Sequence, residues 1–304
     1  MDRRYTTVDV FTEHMFGGNP LAVVLDAQDL SASQMQSIAA EFNYAETTFV
    51  LPPRDPQHKA QVRIFTPRSE VPFAGHPNVG TAYVLARDMA ASGQTLPERF
   101  DFEEGAGIVP VRILREGPEV LGAELTAPER LSRGAEATAQ IAADCLSLPA
   151  AEISSAVHAP QVVSVGLPFL VAEVSSRAAL ARSRPDLAAH EKFLRGIGVD
   201  AIFAYVRGPD DAHTGVLHAR MYAPLDGIPE DPATGSATAA TLALLTDLAP
   251  SADTERRWRV HQGDDMGRPS ILLGATAKRD GAFQYVRVGG RCAPVMTGTL
   301  NIDA

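Results

Sequence analysis

The sequence predicts an α+β protein made of two similar halves. Three observations carry this. Strand-like segments arrive in runs without regular βαβ alternation. Each half holds one long apolar helix that follows a polar turn rich in Gly and Pro. Landmarks of the first half also recur in the second: Arg63, Phe65, Pro67 and Val71-Pro72 match Arg220, Tyr222, Pro224 and Ile228-Pro229, Pro20 matches Pro168, Phe49 matches Phe203, and Glu104-Gly105 matches Gln262-Gly263. The separation within these pairs rises in chain order, which favours duplication over chance. Each half is then a strand-rich unit wrapped on its central helix, and two such halves facing each other leave a cleft where the helix starts meet.

Composition bounds the rest. A chain of 304 residues with 45% hydrophobic residues can bury ample core, and its length fits two domains better than one. A net charge of -10 without any Lys/Arg-rich run argues against nucleic acid or an anionic membrane as partner, so the expected ligand is small. Two distant cysteines, Cys145 and Cys292, make neither a disulfide framework nor a zinc site, and their usage fits the cytoplasm. The start, MDRRYTTVDVF, alternates like a strand and lacks a signal-peptide core, and no stretch reaches the roughly 18 apolar residues of a membrane span.

In chain order, residues 5–11 alternate as a half-buried strand, and GGNP turns the chain into the apolar strand 21–25. Met35, Ile38, Ala39 and Phe42 recur at helical spacing over residues 31–42, with Ser31 or Ser33 as N-cap. Glu46 lies where this helix passes into the strand TTFVL, flanked by Tyr44 and Phe49. A strand over 60–65 leads to the motif RIFTPRSEVPFAGHP and a helix over about 77–89. Residues 100–114 read as two strands joined through Gly105 and Gly107, and 123–126 as another. From about Pro128 the composition shifts to Ala, Ser and Glu, which places a domain boundary near 125–130. A helix around 137–146, strands at 162–166, 167–174 and 201–206, a helix within 186–196 and a strand at 215–222 follow. The second motif and its helix come next, then strands near 258–262, 270–273, 285–288 and 297–302.

The two motif turns hold the chemistry. In Gly75-His76-Pro77-Asn78 the proline sits at about the first helical position, where its missing N–H is not needed, and glycine admits a ligand close to the backbone. Asp231-Pro232-Ala233-Thr234-Gly235-Ser236 repeats the device, with Asp231 as a natural N-cap. Two helix starts with unpaired N–H groups and positive dipole ends suit an anion, most simply a carboxylate. Each residue also has a purely structural reading: Asp231 as a cap, Glu46 as an exposed turn carboxylate, and His213 and His218 as ordinary histidines. His76 is a poor N-cap. Gly235-Ser236-Ala237 is not a nucleophile elbow, because Thr234 and Thr238 stand where GxSxG needs glycine, and the GxG at Gly105 opens no helix.

Together VDVFTEHMFGGNPLAVV, AETTFV, RIFTPRSEVPFAGHP and DPATGSA resemble, in order and spacing, the PhzF-like isomerase family of phenazine biosynthesis, over essentially the whole chain. The resemblance implies two barrel-like domains, each a mostly antiparallel sheet around a central helix as in diaminopimelate epimerase, with the active site in the cleft between them. It assigns residues 1–127 with about 292–304 to the N-terminal domain and 128–291 to the C-terminal one. It further implies a homodimer that needs no metal or organic cofactor. Carried over by motif, Glu46, His76 and Asp231 are the catalytic group, with Glu46 as general acid/base, while Gly75, Gly235 and Ser236 bind substrate. The family's reaction in the phenazine pathway is isomerisation of trans-2,3-dihydro-3-hydroxyanthranilate by a hydrogen shift. A carboxyl that takes a proton and returns it works best when burial raises its pKa toward neutrality, as Tyr44 and Phe49 could do for Glu46.

Two alternatives stand beside the isomerase. One is an amino-acid epimerase working through carboxylates, since thiol racemases of this fold carry cysteines at the two helix starts and this chain has none there. The other is a non-enzymatic small-anion binding or interaction protein.

Overall fold

The computed structural model describes residues 2–211 and 214–302, so that His213 lies outside the described residues. The chain divides into two units, Met1–Leu125 with Gly289–Ala304, and Thr126–Val288. The elements begin with β1 (Asp2–Val10), β2 (Asn19–Val24), α1 (Ala32–Phe42), β3 (Glu46–Leu51), β4 (Ala60–Phe65), β5 (Glu70–Val71), α2 (Gly75–Ala91), β6 (Arg99–Glu104), β7 (Gly107–Glu116) and β8 (Glu119–Thr126). They continue with β9 (Ser132–Glu136), α3 (Ala139–Leu146), β10 (Ile153–Ser154), β11 (Gln161–Ser164), β12 (Pro168–Val174), α4 (Arg177–Arg182), the single turn α5 (Leu187–Ala189), β13 (Ile202–Arg207) and β14 (Thr214–Ala223). The last are β15 (Ile228–Asp231), α6 (Gly235–Asp247), β16 (Thr254–Gln262), β17 (Ser270–Arg279) and β18 (Ala282–Asn301).

In the first unit the strands close on themselves. β1 pairs with β2, β2 runs parallel to β3, β3 pairs with β4, β4 runs parallel to β6, and β6, β7 and β8 follow as antiparallel neighbours. β8 pairs with β18, and β18 pairs antiparallel with β1 from Asp2↔Asn301 to Val10↔Cys292, completing a closed barrel of eight strands. A sheet with no edge must fill its interior, and here α2 fills it: residues 76–84 and Ala86 are all buried. A helix buried on every side has no polar stripe, and its small residues set how closely strands approach. Gly80 is the tightest such point, because a Cβ there would lie 2.5 Å from Leu21 Cδ2 and 2.9 Å from Val10 Cγ2. The outer face of β3 and β4 is covered by α1, whose Met35 and Ala39 join Phe49, Phe65 and Val24 in a second apolar cluster.

The second unit repeats the order of strand senses. β11 and β12 are antiparallel, β12 and β13 parallel, β13 and β14 antiparallel, β14 and β16 parallel, and β16 and β17 antiparallel, as β1, β2, β3, β4, β6 and β7 are in the first. α6 is its buried helix, enclosed over residues 237–246. α3 and α4 pack with α5 in an apolar cluster that includes Cys145 and Leu180. The architecture is therefore the α+β pair of helix-filled barrel-like sheets. No helix among the described residues is long and apolar enough to cross a membrane.

Several boundaries differ from expectation. α2 begins at Gly75, two residues before the expected start, which puts Pro77 third in the helix; the first-turn N–H groups have no intrahelical partner, so proline is tolerated there too. The expected helix within 186–196 is α5 continued by a π turn and a 3₁₀ turn to Ile197. The strands expected at 285–288 and 297–302 are one strand, β18, of 20 residues. Gly289 is the reason the chain passes without a break: any Cβ there would lie 2.4 Å from the Ala123 carbonyl oxygen of β8. β9 and α4 carry weak apolar patterns and had no expected counterpart.

If α2 is enclosed as described, Gly80→Val overpacks the first barrel and lowers stability by ~2–3 kcal/mol. Denaturant unfolding of the variant measures this, and an unchanged midpoint would contradict the enclosure.

Candidate active site

Alternate residues of a strand face opposite sides, and this parity aims Glu46. Thr48 faces α2, its Oγ1 lying 2.8 Å from Thr81 Oγ1. Glu46, two residues earlier at the start of β3, shares that face, and its Oε2 lies 3.5 Å from His76 Nε2. Both are shielded, with side-chain exposures of 17% for Glu46 and 7% for His76. Phe49 points the other way, packed edge-on against Phe65 with ring centroids 5.4 Å apart, so the expected shielding of Glu46 by Phe49 does not occur. Burial depresses the His76 pKa to about 3, which keeps the imidazole neutral at physiological pH. A separation of 3.5 Å is too long for a strong hydrogen bond, and His76 Nε2 is buried without one.

The starts of the two buried helices are built alike and unlike the others. α1, α3, α4 and α5 are capped by the side chains of Ser31, Thr138, Ser176 and Asp186, each accepting from a first-turn N–H. α2 begins after Ala74 and α6 after Thr234, and neither residue makes a side-chain cap bond. Gly75 and Gly235 are the first helical residues, and His76 and Ser236 the second. Peptide N–H groups at such starts can bind an anion.

The expectation that Asp231 caps α6 is overturned. Asp231 ends β15, three residues before the cap position, and Thr234 donates its hydroxyl to Asp231 Oδ2 rather than accepting from the helix. Gln262 then fastens this segment: its Oε1 accepts from Thr234 N at 3.1 Å, and its Nε2 donates to the Asp231 carbonyl at 2.8 Å and to Thr234 Oγ1 at 3.0 Å. The carboxyl of Asp231 is buried. Thus Glu46, Gly75 and His76 gather at the start of α2 in the first unit, and Asp231, Gly235 and Ser236 at the start of α6 in the second.

Both turns are anchored by the same device. Arg63 Nε and Nη2 each donate at 2.7 Å to Glu70, and Arg220 Nε and Nη2 each donate at 2.7 Å to Glu230. Each guanidinium also lies 5.2 Å from an aromatic ring, Phe65 in the first unit and Tyr222 in the second. The repeat matches the two arginines but not their glutamates, for which the signal in the residues is an Arg and a Glu seven positions apart in one motif and ten apart in the other. In the sequence Gln262 stands only as the landmark that matches Glu104.

Neither cysteine joins these groups. Burial pushes the Cys145 thiol up to about 12 and raises that of Cys292 as well, so both stay protonated. A cavity of about 750 Å³ in the first unit, bordered by Phe16, Tyr83 and Cys292 among others, contains none of the candidate residues. Among the described residues, no three His, Cys, Asp or Glu side chains are grouped as metal ligands.

Comparison with known proteins adds the following. The family model for phenazine biosynthesis-like proteins (PhzC-PhzF) matches residues 8–298. An uncharacterised isomerase of Mesorhizobium japonicum is 37% identical, the match covering 99% of each chain. The trans-2,3-dihydro-3-hydroxyanthranilate isomerase of Pseudomonas chlororaphis is 33% identical, over 97% of this chain and 98% of that one. A solved structure described as a predicted epimerase from Pseudomonas aeruginosa superposes with a TM-score of 0.78 at 33% identity, covering 99% of this chain and 100% of the other.

His76 sets a stability signature. The folded chain leaves it neutral down to about pH 3, whereas in the unfolded chain it takes a proton near its ordinary value of 6.5. Acidification below pH 6.5 therefore favours unfolding, by up to about 1.4 kcal/mol per pH unit. Urea midpoints at pH 7, 6 and 5 should fall more steeply for the wild type than for His76→Asn, and parallel profiles would refute a buried neutral histidine.

Proposed function

The chain belongs to the phenazine biosynthesis-like protein family and is an isomerase, and from that premise we propose that it moves a proton on a small carboxylic acid with Glu46 as the acid/base. The observation that carries this is the pairing of a shielded carboxyl and a neutral imidazole, 3.5 Å apart, at the start of a helix left without a side-chain cap. Glu46 as carboxylate takes a proton from one carbon of the substrate. The C–H electron pair moves into the neighbouring π system, and the protonated Glu46 returns the proton to another carbon as the double bond shifts. Neutral His76 turns a ring nitrogen toward Glu46 and can hydrogen-bond the substrate or the carboxyl as it changes protonation. Peptide N–H groups at Gly75 receive the substrate carboxylate and stabilise negative charge as the proton leaves, and Gly235 is proposed as a further substrate-binding residue. Asp231 and Ser236 are proposed as further substrate contacts, Asp231 also taking part in catalysis.

The substrate class follows the relatives named for trans-2,3-dihydro-3-hydroxyanthranilate, a small cyclic amino acid, and this compound is the first to test. The reaction is proposed to need neither metal nor organic cofactor, and the working form to be a cytoplasmic homodimer. A second reading, epimerisation at a carbon next to the carboxylate, is favoured by the solved neighbour described as a predicted epimerase. Turnover in deuterated water separates the two, because an isomerase moves a double bond whereas an epimerase labels and inverts one carbon.

Glu46→Gln should lower kcat by about 10²–10⁴-fold while the variant stays folded. Wild-type turnover in Glu46→Gln would end the acid/base assignment. Exhaustive dialysis against a chelator should leave kcat unchanged, and a loss restored by a divalent cation would overturn the cofactor-free reaction.

A further inference from the structure

A carboxyl that plays no part in this reaction lies beside the same turn. Glu104 ends β6, and both of its carboxyl oxygens are buried with no hydrogen bond of full geometry, the Asn78 side chain being the polar group beside them. Such a group calls for an explanation. Burial pushes its pKa up to about 8, against the opposing pull of the Asn78 side chain beside it, and no charged group adds to the shift. Asn78 stands two residues after His76 in α2, and its Nδ2 donates at 3.1 Å to the carbonyl of Ala74, the residue that precedes the helix. An amide nitrogen has two hydrogens, so the second can serve one Glu104 oxygen, and Asn78 Oδ1, itself buried without a partner, can accept from the Glu104 hydroxyl, a bond that only the protonated acid supplies. The turn after Glu104 also holds this segment: Ala106 N donates to the Pro72 carbonyl at 3.0 Å, and a Cβ on Gly105 would lie 3.0 Å from Pro72 Cα.

The second unit shows what a side chain at this position does. Gln262 ends β16 as Glu104 ends β6, and each strand runs parallel to its partner, β14 and β4 respectively. Gln262 makes three hydrogen bonds to the segment before α6, and the next residue, Gly263, would bring a Cβ within 2.7 Å of the Pro232 carbonyl oxygen. A primary amide and a carboxylic acid share a shape and offer both donor and acceptor, whereas a carboxylate only accepts. Glu104 can stand in for a glutamine only while it holds its proton.

We propose that Glu104 is a positioning residue: as a neutral acid it holds Asn78 and the segment before α2, as Gln262 holds the segment before α6, and so fixes Gly75 and His76. This rests on the reading of Glu46 and His76 given above. Glu104 acts through Asn78 and touches no substrate. Its folded pKa lies above the ordinary carboxyl value of 4.5, so its contribution to stability is full below that value and is lost as pH rises toward 8.

Denaturant unfolding of the wild type and Glu104→Gln from pH 5 to 9 tests the proton directly. The unfolding constant of the wild type should rise relative to that of Glu104→Gln by up to about tenfold per pH unit until near pH 8, then level off. A ratio that does not change with pH overturns the proposal. With trans-2,3-dihydro-3-hydroxyanthranilate as probe, Glu104→Leu should lower kcat/KM about tenfold, Glu104→Gln should restore most of it, and the wild-type rate should fall above pH 8 where that of Glu104→Gln does not. Full activity of Glu104→Leu overturns positioning, and if that variant fails to fold, the pH profile of Glu104→Gln decides. If the wild type does not turn the probe over, the substrate reading fails, while the unfolding ratio still decides whether Glu104 carries a proton.

Discussion

A helix enclosed by a closed sheet is the constraint from which the rest of the first unit follows. Enclosure removes the polar face that a surface helix would turn to water, so α2 is buried from His76 to Val84 and must narrow at Gly80 to pass Leu21 and Val10. It also concentrates the unmet hydrogen-bonding capacity of the helix at its start, where peptide N–H groups have no carbonyl within the helix to bind. Surface helices of this chain meet that need with Ser, Thr or Asp; the two enclosed helices do not. A ligand with negative charge fits where the cap is missing, and side chains on neighbouring strands are carried to the same place by strand parity alone.

Holding such a turn rigid takes polar side chains that are themselves held. Arg63 with Glu70, and Arg220 with Glu230, form two-point charged pairs across the hairpins that lead into the helices. The second pair is the more deeply set: Arg220 is nearly buried, and its Nη1 also donates to the carbonyls of Leu180, Ala181 and Ser183 at the end of α4. Removing one member of a pair so enclosed would leave the other charged and unmatched, so the geometry is fixed by the cost of its alternatives. Gln262 gives the second turn a neutral clasp of the same kind.

Much of this was legible in the residues. Alternation marks β1 and β4, the helical spacing of Met35, Ile38, Ala39 and Phe42 marks α1, and Ser31 caps it with Gln34 returning the bond. The repeated landmarks anticipate the repeated order of strand senses. What sequence could not supply was direction in three dimensions. Asp231 followed by Pro looks like a cap, yet Thr234 takes that place because β15 extends through Asp231. Phe49 is near Glu46 in sequence but faces α1, since the two stand three positions apart on one strand, an odd offset. Glu104 stands in the sequence only as a landmark of the repeat, and it is the packing of its turn against Pro72 and Asn78 that takes it from water.

The strand β18 orders events in time. Its residues up to Val288 belong to the second unit and those from Gly289 to the first, where they lie between β1 and β8. A ribosome makes β1 to β8 early, but the barrel they form stays open, with two strand edges exposed, until nearly 300 residues have been added. Closure of the first barrel is thus a late, long-range step, whereas the second unit draws all its strands from one continuous stretch of chain. The half that carries Glu46 and His76 is synthesised first and completed last.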